Sequence, residues 1–415
     1  MLKLLKNPAQ IVTVDTKGKN YKRGKDHNDI GVLTGKSVEI EDNKIKGFID
    51  TEKVDDSKYE EVIDLTGKII LPGLVDCHTH TPFAGSRANE FKMKLAGTGY
   101  EDIAKAGGGI NATVQAVRKS SFDELVEIVK PRVDYFISLG VTTIEMKSGY
   151  GLSYYDEIKL LQVVKHLNKI YEIDIIPTFL GAHTFPPEYK NDHEKYLNIL
   201  SDELLPYVAE NKLAKFCDGF CETTAFSPEQ LDKILGKASD LGLKIKLHSE
   251  QFNLIGGLDV AIKNNAVSVD HLEVAGEPEV EKIAATETVV VLLPGVSFFL
   301  DYGFAPARKL IDGNAIVALS TDYNPGSSHI ANLNLIMSLA AIKMNMTIEE
   351  TISAVTINAA KAVDMQNEVG SIEIGKNADF AIFDTTEYAD IVYQVGKNLN
   401  VMTIKNGKII YEANN

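Results

Sequence analysis

Of the 415 residues only three are cysteine: Cys77, Cys217 and Cys221. They form neither a C-x-x-C pair nor an even set, which excludes a disulfide framework and fits buried thiols in a reducing compartment. No apolar run reaches the roughly 18 residues of a membrane span. The opening "MLKLLKNPAQIVTVD" has too short an apolar stretch for a secretory signal. A cytoplasmic protein with no membrane partner is the expectation. Positive charge is also scarce: 43 Lys and Arg stand against 58 Asp and Glu, a formal net charge of −15, and no basic cluster breaks that balance. Nucleic acid is therefore not an expected partner. The phosphate-loop spacings are missing too, since "GGGI" at 107–110 fits neither G-x-G-x-x-G nor the P-loop pattern and reads as a flexible loop.

What is present is an ordinary globular composition, 44% hydrophobic and 24% charged, in a chain long enough for one large domain and a smaller one. Up to Gly67 the chain is a series of short β-rich runs ("AQIVTV", "SVEI", "KIKGFI", "EEVIDL") separated by turn residues. The tail repeats that style in "ADFAIFD" and "NVMTIKNGKIIYE", where Asn406-Gly407 signals a hairpin. Neither end can bury a core alone. Residues 1–67 and 360–415 are thus expected to pair into one small β-sandwich domain. Between them, over 68–359, eight β-rich runs alternate mostly with amphipathic helical patterns: "KIILPGLVDCH", "VTTIEMK", "DIIPTFL", "KFCDGFCE", "LKIKLH", "AVSVDH", "TVVVLLP" and "AIVALSTD". Near-continuous apolar strands in right-handed βα units predict an α/β fold, a (β/α)8 TIM-type barrel. On strand counting alone, a doubly wound sheet is the competing architecture.

Histidine is sparse at nine residues, yet "DCHTH" places His78 and His80 two positions apart, on one face of a strand. Barrel enzymes carry their chemistry at the C-terminal ends of the strands. Those positions hold His78 and His80, Lys147, His183, Glu222, His248, His271 and Asp322, so five of the nine histidines fall on one rim. Imidazole and carboxylate converging on a concave mouth point to a metal centre. His78, His80, His248 and Asp322 form a borderline-soft set that suits one divalent ion, zinc or iron equally. A purely structural zinc site would be richer in thiolate. Lys147 reads as an ion-pair residue, and Glu222 as either a second-metal bridge or a cap at the mouth. His166 and His193 read as solvated, and His329 as packing at a helix start.

The pieces "LPGLVDCHTHTPFAGSR", "STDYNPGSS" and "IGKNADFAIFD" resemble the amidohydrolase superfamily, whose β domain is built from both chain ends around a metal-bearing barrel. Within it, "KLAGTGYEDIAKAGGGI", "EMKSGYGL", "GAHTFPPE", "LHSEQFN" and "VDHLE" are similar to the branch that opens a cyclic amide in histidine degradation. That resemblance covers essentially the whole chain. It implies hydrolysis of the ring amide C–N bond of 4-imidazolone-5-propanoate to give N-formimino-L-glutamate. It also implies His78, His80, His248 and Asp322 as metal ligands and Arg87, Tyr150, His183, Gln251, Asn324, Gly326 and Ser327 as substrate contacts. A homodimer is common among such relatives and is the expected assembly. One departure stands out: some members carry Glu three residues after the strand-five histidine, where this chain has Gln251, with Glu250 displaced by one.

The chemistry of the residues agrees with that implication. A metal makes hydroxide available at neutral pH, and Asp322 can carry its proton to the leaving nitrogen, with His271 placed to hydrogen-bond the nucleophile or the developing oxyanion. Glu250 and Gln251 are the remaining candidates on the strand-five loop, with Asp322 expected to be the principal proton carrier. Arg87 offers a planar fork for the propanoate, and Tyr150 a hydroxyl donor. The alternatives are another ring hydrolase or deaminase of the superfamily, for which Gln251 cannot shuttle a proton, or a non-catalytic barrel, which would be expected to have lost ligands.

Overall fold

The computed structural model describes residues 1–97 and 108–413. The "GGGI" loop and the motif "KLAGTGYEDIAKAGGGI" therefore lie in part outside the described residues. Eight parallel strands form the central sheet: β1 (Leu74–Asp76), β2 (Val141–Lys147), β3 (Asp174–Ala182), β4 (Phe216–Cys221), β5 (Lys244–Ser249), β6 (Ser268–His271), β7 (Val289–Leu292) and β8 (Ile316–Leu319). Each pairs with the next in chain order, as right-handed βα units dictate. The seam between β1 and β8 is closed just beyond their ends. There the Asp322 amide donates to the His78 carbonyl at 3.1 Å and the His80 amide to the Tyr323 carbonyl at 3.0 Å, beside a parallel bridge between Thr79 and Tyr323. The fold is the expected TIM-type barrel.

Along the strands, outward side chains such as Ile144, Met146, Ile245, Leu247 and Val269 pack into the helix layer. On β2, β4, β5 and β6 many inward positions at the same period of two are polar: Glu145, Lys147, Asp218, Lys246, His248, Ser268 and Asp270 are all buried. Barrel interiors are ordinarily filled by branched apolar side chains. Here hydrogen bonds and ion pairs replace them on that side, while Val289 and Val291 of β7 and Ile316 and Ala318 of β8 remain apolar.

The chain ends supply two further sheets. One has four strands in the order Lys44–Asp50, Lys36–Glu41, Leu2–Lys6 and Glu61–Asp64. The other has six, in the order Lys408–Glu412, Asn400–Lys405, Phe380–Phe383, Ile69–Pro72, Gln10–Val12 and Val32–Leu33. Leu5, Val38, Ile40 and Ile45 from the first meet Ile11, Ile70, Phe380, Ile382 and Ile404 from the second in one apolar core. The run "KIILPGLVDCH" is thus two strands and not the single barrel strand expected. Ile69–Pro72 pairs antiparallel with Phe380–Phe383 in the terminal sheet, and the barrel starts only at Leu74. Gly73 stands at the break, and a Cβ there would lie 2.2 Å from Oγ1 of Thr142 on β2, so the close approach requires glycine.

One buried cation ties the terminal sheet to the barrel. Nζ of Lys405 lies 2.7 Å from Asp379 and 2.5 Å from Asp174, at the start of β3, with none of its side chain exposed. Removing the ammonium would leave the Asp379 carboxylate buried without its counter-charge. Lys405→Met is expected to lower unfolding free energy by about 3–5 kcal/mol, read as a lower urea midpoint at unchanged m-value.

Candidate active site

Four side chains project into the mouth from three parts of the seam and β5. His78 and His80 follow β1, His248 is the penultimate residue of β5, and Asp322 follows β8 with a left-handed φ of 47°. Oδ1 of Asp322 lies 3.5 Å from Nε2 of His78 and 3.3 Å from Nε2 of His80, and the Nε2 atoms of His80 and His248 are 3.4 Å apart. Metal–nitrogen distances of about 2.0–2.1 Å place tetrahedral ligand atoms about 3.3–3.4 Å from one another. Nε2 of His78 and Oδ1 of Asp322 are buried with no hydrogen-bond partner among the described residues. Such orphaned, converging lone pairs are what a bound cation would satisfy, so the donor set fits the metal the sequence implied.

Behind the ligands stand carboxylates that the sequence reading missed. Nδ1 of His78 donates to Asp270 at 2.6 Å, and Nδ1 of His248 to Asp218 at 3.1 Å. Each bond fixes its ring with Nε2 toward the mouth. Lys147 is the ion-pair residue expected. Its ammonium lies 2.8 Å from Asp218, 2.8 Å from Glu145 and 3.8 Å from Asp270, fully buried. Lys246 adds a second buried ammonium 3.5 Å from Glu145. Asp218 and Asp270 sit at the inward positions of β4 and β6. In "SVDH" the recurrence of Ser268 and Asp270 at period two was an available signal; in "FCDGFC" the signal was a lone carboxylate inside an otherwise apolar strand.

The titration behaviour of two of the histidines suits cation binding, whereas His78 is held toward its charged form by the carboxylates around it. Burial pushes His248 down to about 3 and His80 below the ordinary imidazole value, so both favour the neutral, lone-pair-bearing form. For His78, burial and the Lys147 charge act downward, but the Asp270 and Asp322 carboxylates outweigh them and raise it to about 8. Burial alone would raise Asp322, yet the imidazoles of His78 and His80 hold it well below the usual carboxylate range.

His271 ends β6, where alternation alone would aim it at the helices. Left-handed φ values of 87° at His271 and 63° at Leu272 turn the chain, and the ring stands 5.4 Å from that of His248. Residues held in this region are strained, and such strain clusters at functional sites.

The mouth opens into a cavity of about 600 Å³ lined by His80, Arg87, Tyr150, His183, His248, Gln251, His271, Asp322, Asn324, Gly326 and Ser327, among others. The structure brings these sequence-selected residues together. Nδ1 of His183 is held at 2.9 Å by the Gly149 carbonyl, and Tyr150 is buried, which pushes its phenol up. Arg87 gives Nε and Nη2 to Glu90, leaving Nη1 over Gly326. Glu90 in turn accepts the Gly109 amide at 2.9 Å. Apolar walls that sequence reasoning missed come from Phe91, Phe220, Phe299 and Leu300.

Several expectations need correction or refinement. Glu250 is not brought to the cavity, because its Oε1 accepts the Leu258 amide at 3.1 Å, at the start of helix Gly257–Lys263. Asn324 lines the cavity but directs its amide nitrogen to Asp322 at 3.0 Å and to Ser327 at 2.9 Å, while its oxygen accepts the Gly326 and Ser327 amides. It organises the loop and Asp322 more than it faces a ligand. His329 borders the cavity against Phe83 and Tyr323, four residues ahead of the helix Leu333–Met344. Glu222 is a cap, accepting the Phe252 and Asn253 amides at 3.1 and 3.2 Å. His193 is exposed as expected, while stacking on Phe185 at 3.7 Å, and the half-buried His166 packs edge-on to Phe122.

Comparison with known proteins agrees with this geometry. The Amidohydrolase family matches residues 69–410. An imidazolonepropionase of Clostridium tetani is 44% identical over 99% of this chain and 98% of its own length. One from a Geobacillus species is 42% identical over the same shares. Among solved structures, a zinc-bound adenosine deaminase from Xanthomonas campestris superposes with a TM-score of 0.73 at 16% identity, over 99% of this chain and 93% of that one. At that identity the likeness is one of fold.

Two outcomes follow from the geometry. Asp270→Asn weakens the acceptor behind His78, and affinity for zinc, measured by chelator competition, is expected to fall about 10–100-fold. Gly326→Ala would put a Cβ 2.0 Å from Nη1 of Arg87. Displacing that guanidinium is expected to raise KM about tenfold, the loss of one charge-assisted hydrogen bond, with kcat changed far less.

Proposed function

The chain belongs to the amidohydrolase family and, within it, to the imidazolonepropionase group, and from that premise we propose that it hydrolyses the ring amide C–N bond of 4-imidazolone-5-propanoate to N-formimino-L-glutamate. The observation that carries the reading is the convergence of His78, His80, His248 and Asp322 beside a cavity that also presents Arg87. A divalent ion, zinc or iron, held by those four side chains would supply hydroxide at neutral pH and polarise the ring carbonyl.

The chain's own residues do the rest. Arg87 receives the propanoate carboxylate on Nη1, with the Tyr150 hydroxyl and His183 lining the same side. Ser327 and Gly326 form the floor beneath it. Asp322 keeps Oδ2 oriented by Asn324, so a proton taken from the attacking water at this carboxylate can be delivered to the departing ring nitrogen. His271 faces the carbonyl oxygen as negative charge develops there. Gln251 contacts the ring, and Glu250 orders its loop. Water adds to the carbonyl carbon, the C–N bond breaks, and the nitrogen leaves protonated. A cytoplasmic homodimer belongs to the same reading.

Loss of the ultraviolet absorbance of freshly prepared substrate on adding the metal-loaded protein is the test. Asp322→Asn is expected to lower kcat by about 10³-fold or more at matched metal occupancy, and Glu250→Gln by about tenfold at most. No loss of absorbance with the fully loaded wild-type protein would end this reading.

A further inference from the structure

Behind the loops that follow β5 and β6 runs a hydrogen-bond chain that the reaction as described does not use. Nδ1 of His271 lies 3.2 Å from Oε1 of Glu273, the Tyr302 hydroxyl lies 3.4 Å from the same oxygen, and Nε2 of Gln251 lies 3.3 Å from the Tyr302 hydroxyl. His271 and Gln251 line the cavity, while Glu273 and Tyr302 stand behind them. The Glu273 side chain is 3% exposed.

The direction of every bond in this chain is fixed from one end. A carboxylate has no proton to give, so Glu273 accepts from both neighbours: the imidazole supplies Nδ1–H and the phenol its single O–H. Burial, with the Glu273 charge adding to it, pushes the Tyr302 phenol up, so that proton stays in place. Having spent its only hydrogen on Glu273, the Tyr302 oxygen can offer Gln251 nothing but a lone pair. Gln251 must then turn its NH₂ toward Tyr302, which leaves Oε1 for the cavity. A glutamate at this position would be an acceptor in any orientation, whereas a glutamine presents an acceptor or a donor depending on which way its amide is turned. Tyr302 follows helix Pro294–Leu300, whose Phe299 and Leu300 form part of the same cavity wall, so the orienting hydroxyl and the wall belong to one segment.

We propose that Tyr302 is a positioning residue that sets Gln251 as a hydrogen-bond acceptor in the cavity, and that this acceptor receives an N–H of the substrate ring. The proposal rests on the cyclic-amide reading of the site. It makes Gln251 selective for rings that carry an N–H on that edge and unfavourable for rings that present only a lone pair there. The second consequence is coupling: the effect of Tyr302 on KM passes through Gln251, whereas an effect relayed through Glu273 and His271 would fall on kcat.

The experiment is steady-state kinetics of the metal-loaded full-length protein with fresh 4-imidazolone-5-propanoate, for wild type, Tyr302→Phe, Gln251→Leu and the double variant. Tyr302→Phe should raise KM about 2- to 13-fold, the range expected for one hydrogen bond, with kcat within about threefold and metal content unchanged. In the Gln251→Leu background the same substitution should leave KM where Gln251→Leu alone puts it. Gln251→Glu in the Tyr302→Phe background should bring KM back toward the wild-type value, because either carboxylate oxygen accepts. An unchanged KM in Tyr302→Phe, or the same rise in both backgrounds, would overturn the proposal while the wild-type activity stands. A loaded wild-type protein that leaves the substrate untouched would instead remove the substrate reading, and this proposal with it.

Discussion

Two buried carboxylates, Asp218 and Asp270, are each shared between a ligand histidine and the Lys147 ammonium, and the mouth of the barrel is arranged around that sharing. Charges taken out of water destabilise a fold unless their partners are close and their lone pairs satisfied. In this interior three carboxylates and two ammonium groups compensate one another across β2, β4, β5 and β6. The same contacts set the rotation of two imidazoles. Barrel packing and ligand geometry therefore rest on one network, and a substitution inside it disturbs both.

Backbone strain marks the same region. Asp322, His271, Leu272 and Glu250 all hold left-handed φ values without being glycine. Each conformation re-aims a side chain that regular strand geometry would have pointed elsewhere. The surrounding bonds hold them: the Asp322 amide to the His78 carbonyl, the Leu272 amide to the Ser249 carbonyl, and the Glu250 carboxylate to the Leu258 amide.

The candidate ligands were legible in the sequence because the barrel rule says where on each strand to look, and the structure brings His78, His80, His248 and Asp322 together from those places. Asp218 and Asp270 were not found, since they sit inside short apolar-looking runs. Reading those runs at period two, inward against outward, would have separated Asp218 from Cys217 and Asp270 from Val269. The division of "KIILPGLVDCH" was beyond local reading, because its two halves pair with strands far away in the chain, Phe380–Phe383 for the first and Val141–Lys147 for the second. Glu250 misled for a related reason: its partner amide lies eight residues ahead, on a helix whose start depends on how the loop folds. The pairing of the two chain ends could be anticipated from their turn-rich composition, but the strand order, with Ile69–Pro72 between Phe380–Phe383 and Gln10–Val12, follows from tertiary packing.

The seam that closes the barrel joins residues far apart in the chain: His78 and Ser320, which bond directly, are 242 positions apart. A ribosome delivers the chain from the N-terminus at about 5–20 residues per second, so His78, His80 and His248 emerge well before Asp322. Until the eighth strand arrives, the growing chain holds three imidazoles with no carboxylate to complete them and an open edge on β1. Long-range closure of this kind is a late event in folding. A half-synthesised chain, or one cut short before the last strand, thus has no working centre with which to attack a bystander amide, and hydrolytic capacity arrives only with the finished barrel.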